Sequence, residues 1–226
     1  MTEIPAGDFL MGTEIGTSFD GPPHTVELAT FWIDTVEVAA SQYERCVNAG
    51  VCPAADDNAT CNAGKAGREL HPINCVDWDQ ANTYCLWVGK RLPTEAEWEK
   101  AARGPDGQIF PWGDNPPNAS LLNWNDDLGS TTPVGTHPRG TSFYGIHNMG
   151  GNVSEWVADY FSQDYYSQSP RANPLGPSAG TNRVTRGGSW QAGIVSTAAM
   201  AAVRQHNSPS TRDPNIGFRC ARTESP

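Results

Sequence analysis

The chain has 226 residues, a formal net charge of −10, 38% hydrophobic residues, 23 glycines, 18 prolines and 8 tryptophans. Its length suits one large domain with a sizeable core, and its aromatic content excludes a disordered chain. The acidic balance argues against nucleic-acid binding, which needs concentrated Lys and Arg, and no apolar run reaches the roughly 18 residues of a membrane span.

Alternating apolar residues predict strands near the start of the chain. Val26 and Leu28, and then Phe31 and Ile33, recur at every second position, as in half-buried strands. The pattern then changes to a helical period over residues 40–47.

Two further helices are predicted between residues 76 and 104. The first has one apolar face and ends at Gly89, with Asp77 or Asp79 as its N-cap. The second begins after Thr94, which forms a capping box with Glu97.

The region from Gly104 to Gly151 is rich in Pro, Gly and Asn and predicts long loops. Phe110, Trp112, Trp124 and Phe143 indicate that these loops are packed rather than disordered.

Six cysteines stand at positions 46, 52, 61, 75, 85 and 220, with no C-x-x-C pair. An even count with wide spacing favours disulfides, and hence a secreted, periplasmic or cell-surface protein; free thiols in a cytosolic protein are the alternative. The first residues, MTEIPAGDFLMG, lack the basic start and apolar core of a signal peptide. Residues 46–75 are interpreted as an inserted Cys-rich loop.

Several motifs occur in a characteristic order: IPAGDFLMG, GKRLPTEAEWE, FPWGD, GNVSEW, RVTRGGSW and NIGFRCAR. Together they resemble the sulfatase-modifying-factor family, whose best-known member is the formylglycine-generating enzyme. The resemblance implies a single irregular α+β domain over residues 1–226. It also implies a fold related to C-type lectins, with low secondary-structure content and long packed loops.

The resemblance further implies structural calcium at two sets of oxygen ligands. The first set comprises the side chains of Asn148 and Glu155 and the carbonyls of Gly151 and Val153. Oxygen donors in a tight loop suit this hard cation, although a turn-forming role is the common alternative for Asn and Asp.

The second calcium set lies in the NWNDDL segment. It comprises the side chains of Asn123 and Asp126 and the carbonyls of Trp124 and Leu128, with Asp127 as an alternative to Asp126.

The same resemblance implies a disulfide between Cys85 and Cys220. For the other four cysteines, three pairings remain open.

Formylglycine-generating enzymes hold Cu(I) between two cysteines that follow the GGS motif. The corresponding positions here are Ala192 and either Ser196 or Thr197, and no cysteine lies between Cys85 and Cys220. Because Cu(I) requires soft thiolate ligands, copper and this oxidase chemistry are not expected. The five histidines lack iron-binding spacing, and Ser189 lacks a G-x-S-x-G elbow.

The family's ligand face corresponds to the segment after GGSW and the loop before GFR. The predicted ligand-binding residues there are Trp190, Gln191, Ile194, Ser196, Thr197, Arg204, His206, Asn207, Ser210 and Arg212. This mixture suits a peptide, protein or sugar.

The sequence thus favours a calcium-stabilised, non-catalytic ligand-binding or display domain. The small residues after Trp190 also suit a variable protein of a diversity-generating retroelement. The alternative is an oxidoreductase of the same family that acts on a peptide or small molecule through a site without a dithiolate.

Overall fold

Short strands make up most of the regular structure. The computed structural model describes residues 1–193 and 196–224, with Ser196 described by its main chain alone. The strands are β1 (Thr2–Ile4), β2 (Gly7–Met11), β3 (His24–Leu28), β4 (Phe31–Ile33), β5 (Ser154–Tyr160), β6 (Arg183–Arg186), β7 (Arg204–Asn207), β8 (Ile216–Phe218) and β9 (Ala221–Arg222).

The strands form three small sheets. The largest has the order β7-β6-β5-β8, in which β5 and β8 are parallel and the other pairs antiparallel. The others are β1-β4-β9 and the β2-β3 hairpin. The predicted strand residues Val26, Leu28, Phe31 and Ile33 lie in β3 and β4 and are buried, which confirms the alternating pattern.

Three α-helices occupy the positions that the sequence predicts: α1 (Ala40–Asn48), α2 (Trp78–Trp87) and α3 (Glu95–Arg103). Asp77 caps α2 by accepting a hydrogen bond from the Gln80 N–H, and Thr94 caps α3 by accepting from the Glu97 N–H. Over the described part of the chain, none of the helices has the length and apolar character needed to cross a membrane.

The loops from Gly104 to Gly151 are packed, as predicted, with one exception. Phe110 is buried and stacks on Trp112, with ring centroids 5.3 Å apart. Phe143 is instead 59% exposed, so its prediction as a packing residue was wrong. It covers Gly104, where an added Cβ would meet the Phe143 Cβ at 2.8 Å.

All six cysteines form disulfides. Cys85 pairs with Cys220, which confirms the tie between α2 and the C-terminal region that the resemblance implied. The open pairings resolve as Cys46–Cys52 and Cys61–Cys75. Three disulfides are typical of an oxidising environment.

A buried ion cluster joins α3 to the largest sheet. The Arg204 guanidinium donates to both carboxylate oxygens of Glu95, at 2.7 and 3.0 Å, and Arg186 donates to Glu99 at 2.5 Å. Glu95 and Glu99 lie one turn apart on α3, and Arg186 pairs directly with Arg204 across β6 and β7. Each arginine therefore has one main carboxylate partner, and Arg186 also lies 3.5 Å from Glu95.

The cluster fixes the ionisation of nearby acids. Burial alone raises the pKa of Glu95, but Arg204 and Arg186 outweigh burial and lower it, so this carboxylate stays charged. Asp159 accepts a hydrogen bond from the Glu95 N–H at 2.7 Å. Burial, together with the Glu95 charge, raises the pKa of Asp159 to about 8.

The Arg204→Met variant tests this cluster. Because Glu95 stays buried without its bidentate partner, we expect the free energy of unfolding to fall by about 3–5 kcal/mol in denaturant titrations. The matched control is Arg171→Met, which removes an exposed pair with Asp8 and should cost less than about 1 kcal/mol. Equal losses in the two variants would contradict an anchoring role for the cluster.

Candidate functional site

The segment from Gly187 to Val203 connects β6 to β7 and begins with two glycines that the packing requires. Gly187 has a φ of +78°, and an added Cβ would lie 2.9 Å from the Met149 carbonyl oxygen. A Cβ on Gly188 would lie 2.7 Å from the Gly150 carbonyl oxygen. The glycines of the RGGSW motif therefore allow the segment to pack closely on the loop at residues 149–150.

A polar pocket of about 380 Å³ lies beside this segment. Its walls carry mainly amide and hydroxyl side chains. The lining residues are Ser154, Ser189, Gln191, Ala192, Ala198, Gln205, Asn207, Asp213, Asn215 and Ile216. We call it the amide pocket.

Strand β7 divides its residues between two environments, because successive side chains point to opposite faces. Gln205 and Asn207 line the amide pocket. Arg204 belongs to the buried ion cluster, and His206 stacks on Phe161 with ring centroids 4.0 Å apart. Placing Arg204 and His206 on the ligand face was therefore wrong. Side chains alternate between the two faces of a strand, and this alternation along RQHN would have predicted Gln205 on the ligand face instead.

Two more predicted face residues have other structural partners. Trp190 is 3% exposed and donates its indole N–H to the Pro214 carbonyl at 3.2 Å, so it contacts the loop that carries Asp213 and Asn215. Arg212 pairs with Asp56 and Asp77 at the surface.

The remaining predicted face residues divide between the pocket and its surroundings. Gln191 and Asn207 line the pocket, and Thr197 is exposed in the short helical turn that follows. Ser210 hydrogen-bonds to Ser208, outside the pocket lining. Ile194 lies outside the described residues, as does the side chain of Ser196.

Sequence reasoning missed the C-terminal wall of the amide pocket. Asn215 donates through Nδ2 to Asp213 Oδ1 at 3.0 Å and to Gln191 Oε1 at 2.8 Å. Gln205 donates through Nε2 to the Gly187 carbonyl at 3.1 Å. The bond between Asn215 and Gln191 joins the loop before GFR to the start of the segment, and the bond from Gln205 joins β7 to it. Asp213 and Asn215 carried only the turn signal of an ordinary Asp-Pro-Asn sequence.

The first predicted calcium set does not fit a cation in this arrangement. Both oxygens of Glu155 accept hydrogen bonds from Arg219 at 2.7 Å, and Trp98 donates to one of them at 2.8 Å. A guanidinium so close repels a second cation. The Asn148 amide instead donates to Glu37, at 3.0 Å to each oxygen.

Glu37 is a buried group that the sequence did not reveal. It also accepts a hydrogen bond from Asn152 at 2.9 Å. Burial raises the pKa of Glu37 to about 7, although Arg219 lowers it in part. The partners lie more than a hundred positions apart in the sequence, so only the fold brings them together.

The second predicted calcium set does fit. Asn123 Oδ1 is buried without a hydrogen-bond donor, while its Nδ2 donates to the Ser130 carbonyl at 2.9 Å. Asp126 is exposed and adopts a φ of +58°, and its N–H donates to the Trp190 carbonyl at 2.7 Å. A buried amide oxygen without a donor and an exposed carboxylate three residues along the chain are oxygen donors of the kind that calcium prefers.

The site contains no thiolate for Cu(I), since every cysteine is in a disulfide. In residues 1–193 and 196–224, no three His, Cys, Asp or Glu side chains converge as metal ligands.

Comparison with known proteins identifies the family. Residues 1–224 match the sulfatase-modifying factor enzyme 1-like domain. The formylglycine-generating enzyme of Streptomyces coelicolor is 34% identical over 277 residues, covering 96% of this chain and 87% of that protein. The chain belongs to the sulfatase-modifying factor family.

Two solved structures share the fold. PvdO from Pseudomonas aeruginosa has a TM-score of 0.82 at 32% identity, covering 97% of this chain and 92% of that chain. Treponema denticola variable protein 1 has a TM-score of 0.80 at 25% identity, covering 99% and 95%. These similarities confirm the α+β, C-type-lectin-related fold.

The Gly188→Ala variant tests the packing at the base of the segment. Its added methyl group would overlap the Gly150 carbonyl, so we expect a loss of about 1–3 kcal/mol in the free energy of unfolding. Gly193→Ala is the control, because a Cβ there meets nothing within 4 Å, and its effect should stay below about 1 kcal/mol. A Gly188→Ala protein as stable as the control would refute the close contact.

Proposed function

We propose that this member of the sulfatase-modifying factor family is a calcium-stabilised, non-catalytic domain that binds a peptide, protein or sugar. One observation carries the proposal. The segment between Arg186 and Arg204 contains no ionisable side chain, yet its two ends are fixed by the buried ion cluster. The scaffold therefore presents the exposed positions of the segment, while buried side chains such as Trp190 and Met200 hold it in place.

The main chain of the segment is fixed as well. The Trp190 N–H donates to the Asn152 carbonyl at 2.9 Å, and the Ala201 N–H donates to the Ile109 carbonyl at 2.9 Å. Bonds of this kind do not depend on side-chain identity. Substitutions at exposed positions between these anchors therefore leave the frame intact.

The amide pocket supplies the recognition chemistry. Amide and hydroxyl groups at its wall suit the hydroxyls of a sugar or the main chain of a peptide. A catalytic role through a copper dithiolate finds no support, because the positions of the two thiols are Ala192 and Ser196 or Thr197.

Calcium would be held at the second ligand set, by the side chains of Asn123 and Asp126 and the carbonyls of Trp124 and Leu128. When bound, it would supply a fixed positive charge that rigidifies this loop. The loop contacts the ligand-binding segment directly: the Asn125 N–H donates to the Ala192 carbonyl at 2.9 Å.

The protein would act in a secreted, periplasmic or cell-surface location, where its three disulfides persist. Similarity to the Treponema variable protein supports a further hypothesis. In it, a diversity-generating retroelement varies the sequence of the segment after Trp190.

Metal analysis and an oxygen-electrode assay test the binding function. We expect stoichiometric calcium, no copper or iron, and no oxygen consumption with cysteine peptides. Asp126→Asn should lower calcium affinity and remove the stabilisation that calcium adds in thermal melts, while Asp106→Asn, an exposed acid away from the loop, should change neither. Stoichiometric copper with turnover would overturn the proposal.

Sequencing of the locus tests the retroelement. We expect an adjacent reverse-transcriptase gene and a near-repeat of the codons for residues 190–204. Finding neither would refute this origin and leave the binding function to be judged by the metal and oxygen measurements.

A further inference from the structure

The amide pocket is rich in hydrogen-bond acceptors and has no cation in its described lining. Asp213 is its one carboxylate, and none of the lining residues is Lys, Arg or His. Arg204, which precedes Gln205 in β7, is buried and paired with Glu95. Arg212 is neutralised at the surface by Asp56 and Asp77.

Hydrogen bonds fix which end of the Asn215 amide is oxygen. Its Nδ2 donates to the Asp213 carboxylate, which cannot donate in return, and to the Gln191 Oε1. The other end must therefore be Oδ1, and this oxygen is buried without a donor. An unsatisfied buried acceptor is costly, and this cost would be relieved if a donor in the pocket drew the Asn215 oxygen toward it.

Hydrogen bonds also show which oxygens of Gln205 and Asp213 remain as acceptors in the pocket wall. Gln205 donates through Nε2 to the Gly187 carbonyl, which leaves Oε1 as its acceptor. Asp213 Oδ1 accepts from the Asn215 N–H at 2.8 Å and from its Nδ2, while Oδ2 has no donor among the described residues. The pocket thus offers a carboxylate oxygen and two amide oxygens.

We propose that the amide pocket binds a primary ammonium group of its ligand. An ammonium has three N–H donors and no acceptor, and the side chains that line the pocket include acceptors on Asp213, Gln205 and Asn215. Bonds from a cation to a carboxylate are about twice as strong as neutral ones. The chain's net charge of −10 also favours the approach of a cation.

This inference rests on the proposed binding function and narrows its ligand class. A lysine side chain of a peptide and an amino sugar both present a primary ammonium. Anionic ligands are excluded from the pocket by Asp213, which no lining cation compensates.

Matched small probes in NMR titrations of the intact, disulfide-bonded protein test the inference. N-acetyl-lysine methylamide and glucosamine carry the ammonium; N-acetyl-norleucine methylamide and glucose are their neutral counterparts. N-acetyl-glutamate methylamide is the anionic probe. We expect the two amines, and neither the neutral nor the anionic probes, to shift the side-chain amide signals of Gln205 and Asn215. A response to one amine alone identifies the source of the ammonium.

The Asp213→Asn variant should weaken binding of the amines at least about tenfold, the size of one charge-assisted hydrogen bond. Its amide oxygen can still accept from the Asn215 N–H, and an unchanged backbone spectrum verifies the fold. Gln205→Met, similar in size, removes a second acceptor and should also weaken binding. Asp106→Asn, an exposed acid outside the pocket, should leave binding unchanged.

The outcomes separate this inference from the proposed function. Equal shifts with amine and neutral probes, or no amine-dependent shift at millimolar concentration, would overturn the ammonium site while leaving the binding function open to other ligands. Copper-dependent turnover in the oxygen assay would overturn the proposed function and leave the ammonium site to be judged by the titrations.

Discussion

The buried pairing of Arg186 and Arg204 with Glu95 and Glu99 is the interaction on which the rest of the structure depends. It joins α3 to strands β6 and β7 of the largest sheet. It also reaches the N-terminal hairpin, where the Gly12 N–H donates to Glu99 at 2.7 Å. A buried charge that loses its partner is far more costly than an exposed one. The cluster is therefore favourable only when all its members are present, and this requirement fixes distant parts of the chain together.

The cluster holds both ends of the segment between β6 and β7. The exposed side chains in the middle of that segment are therefore not needed to keep it in place. Arg186 donates to the Ala201 and Ala202 carbonyls, so even the return of the segment toward β7 is fixed through main-chain oxygens. A relative that keeps the cluster can replace the exposed side chains between these anchors. The same scaffold can in this way carry a copper dithiolate or a neutral binding surface.

The sequence predicted features that depend on local interactions. The caps of α2 and α3 were found because Asp77 and Thr94 bond to residues three positions away. The ligand face was predicted less well, because the resemblance aligned positions without assigning side chains to the two faces of β7. Arg204 and His206 were misplaced for this reason, and the walls at Asp213 and Asn215 were missed. The Glu37–Asn148 and Glu155–Arg219 contacts join residues more than sixty positions apart, and no local pattern encodes them.

The distribution of charge connects the scaffold to the pocket. Arg186, Arg204 and Arg219 are all buried and all paired with a glutamate. The arginines close to the ligand face are thus neutralised by buried glutamates. Asp213 lines the pocket, and one of its carboxylate oxygens has no hydrogen-bond donor among the described residues. Because each of these arginines is neutralised by a glutamate, the charge at the pocket is set by Asp213. The proposed preference for a cationic donor follows from this carboxylate and from the neighbouring amide oxygens.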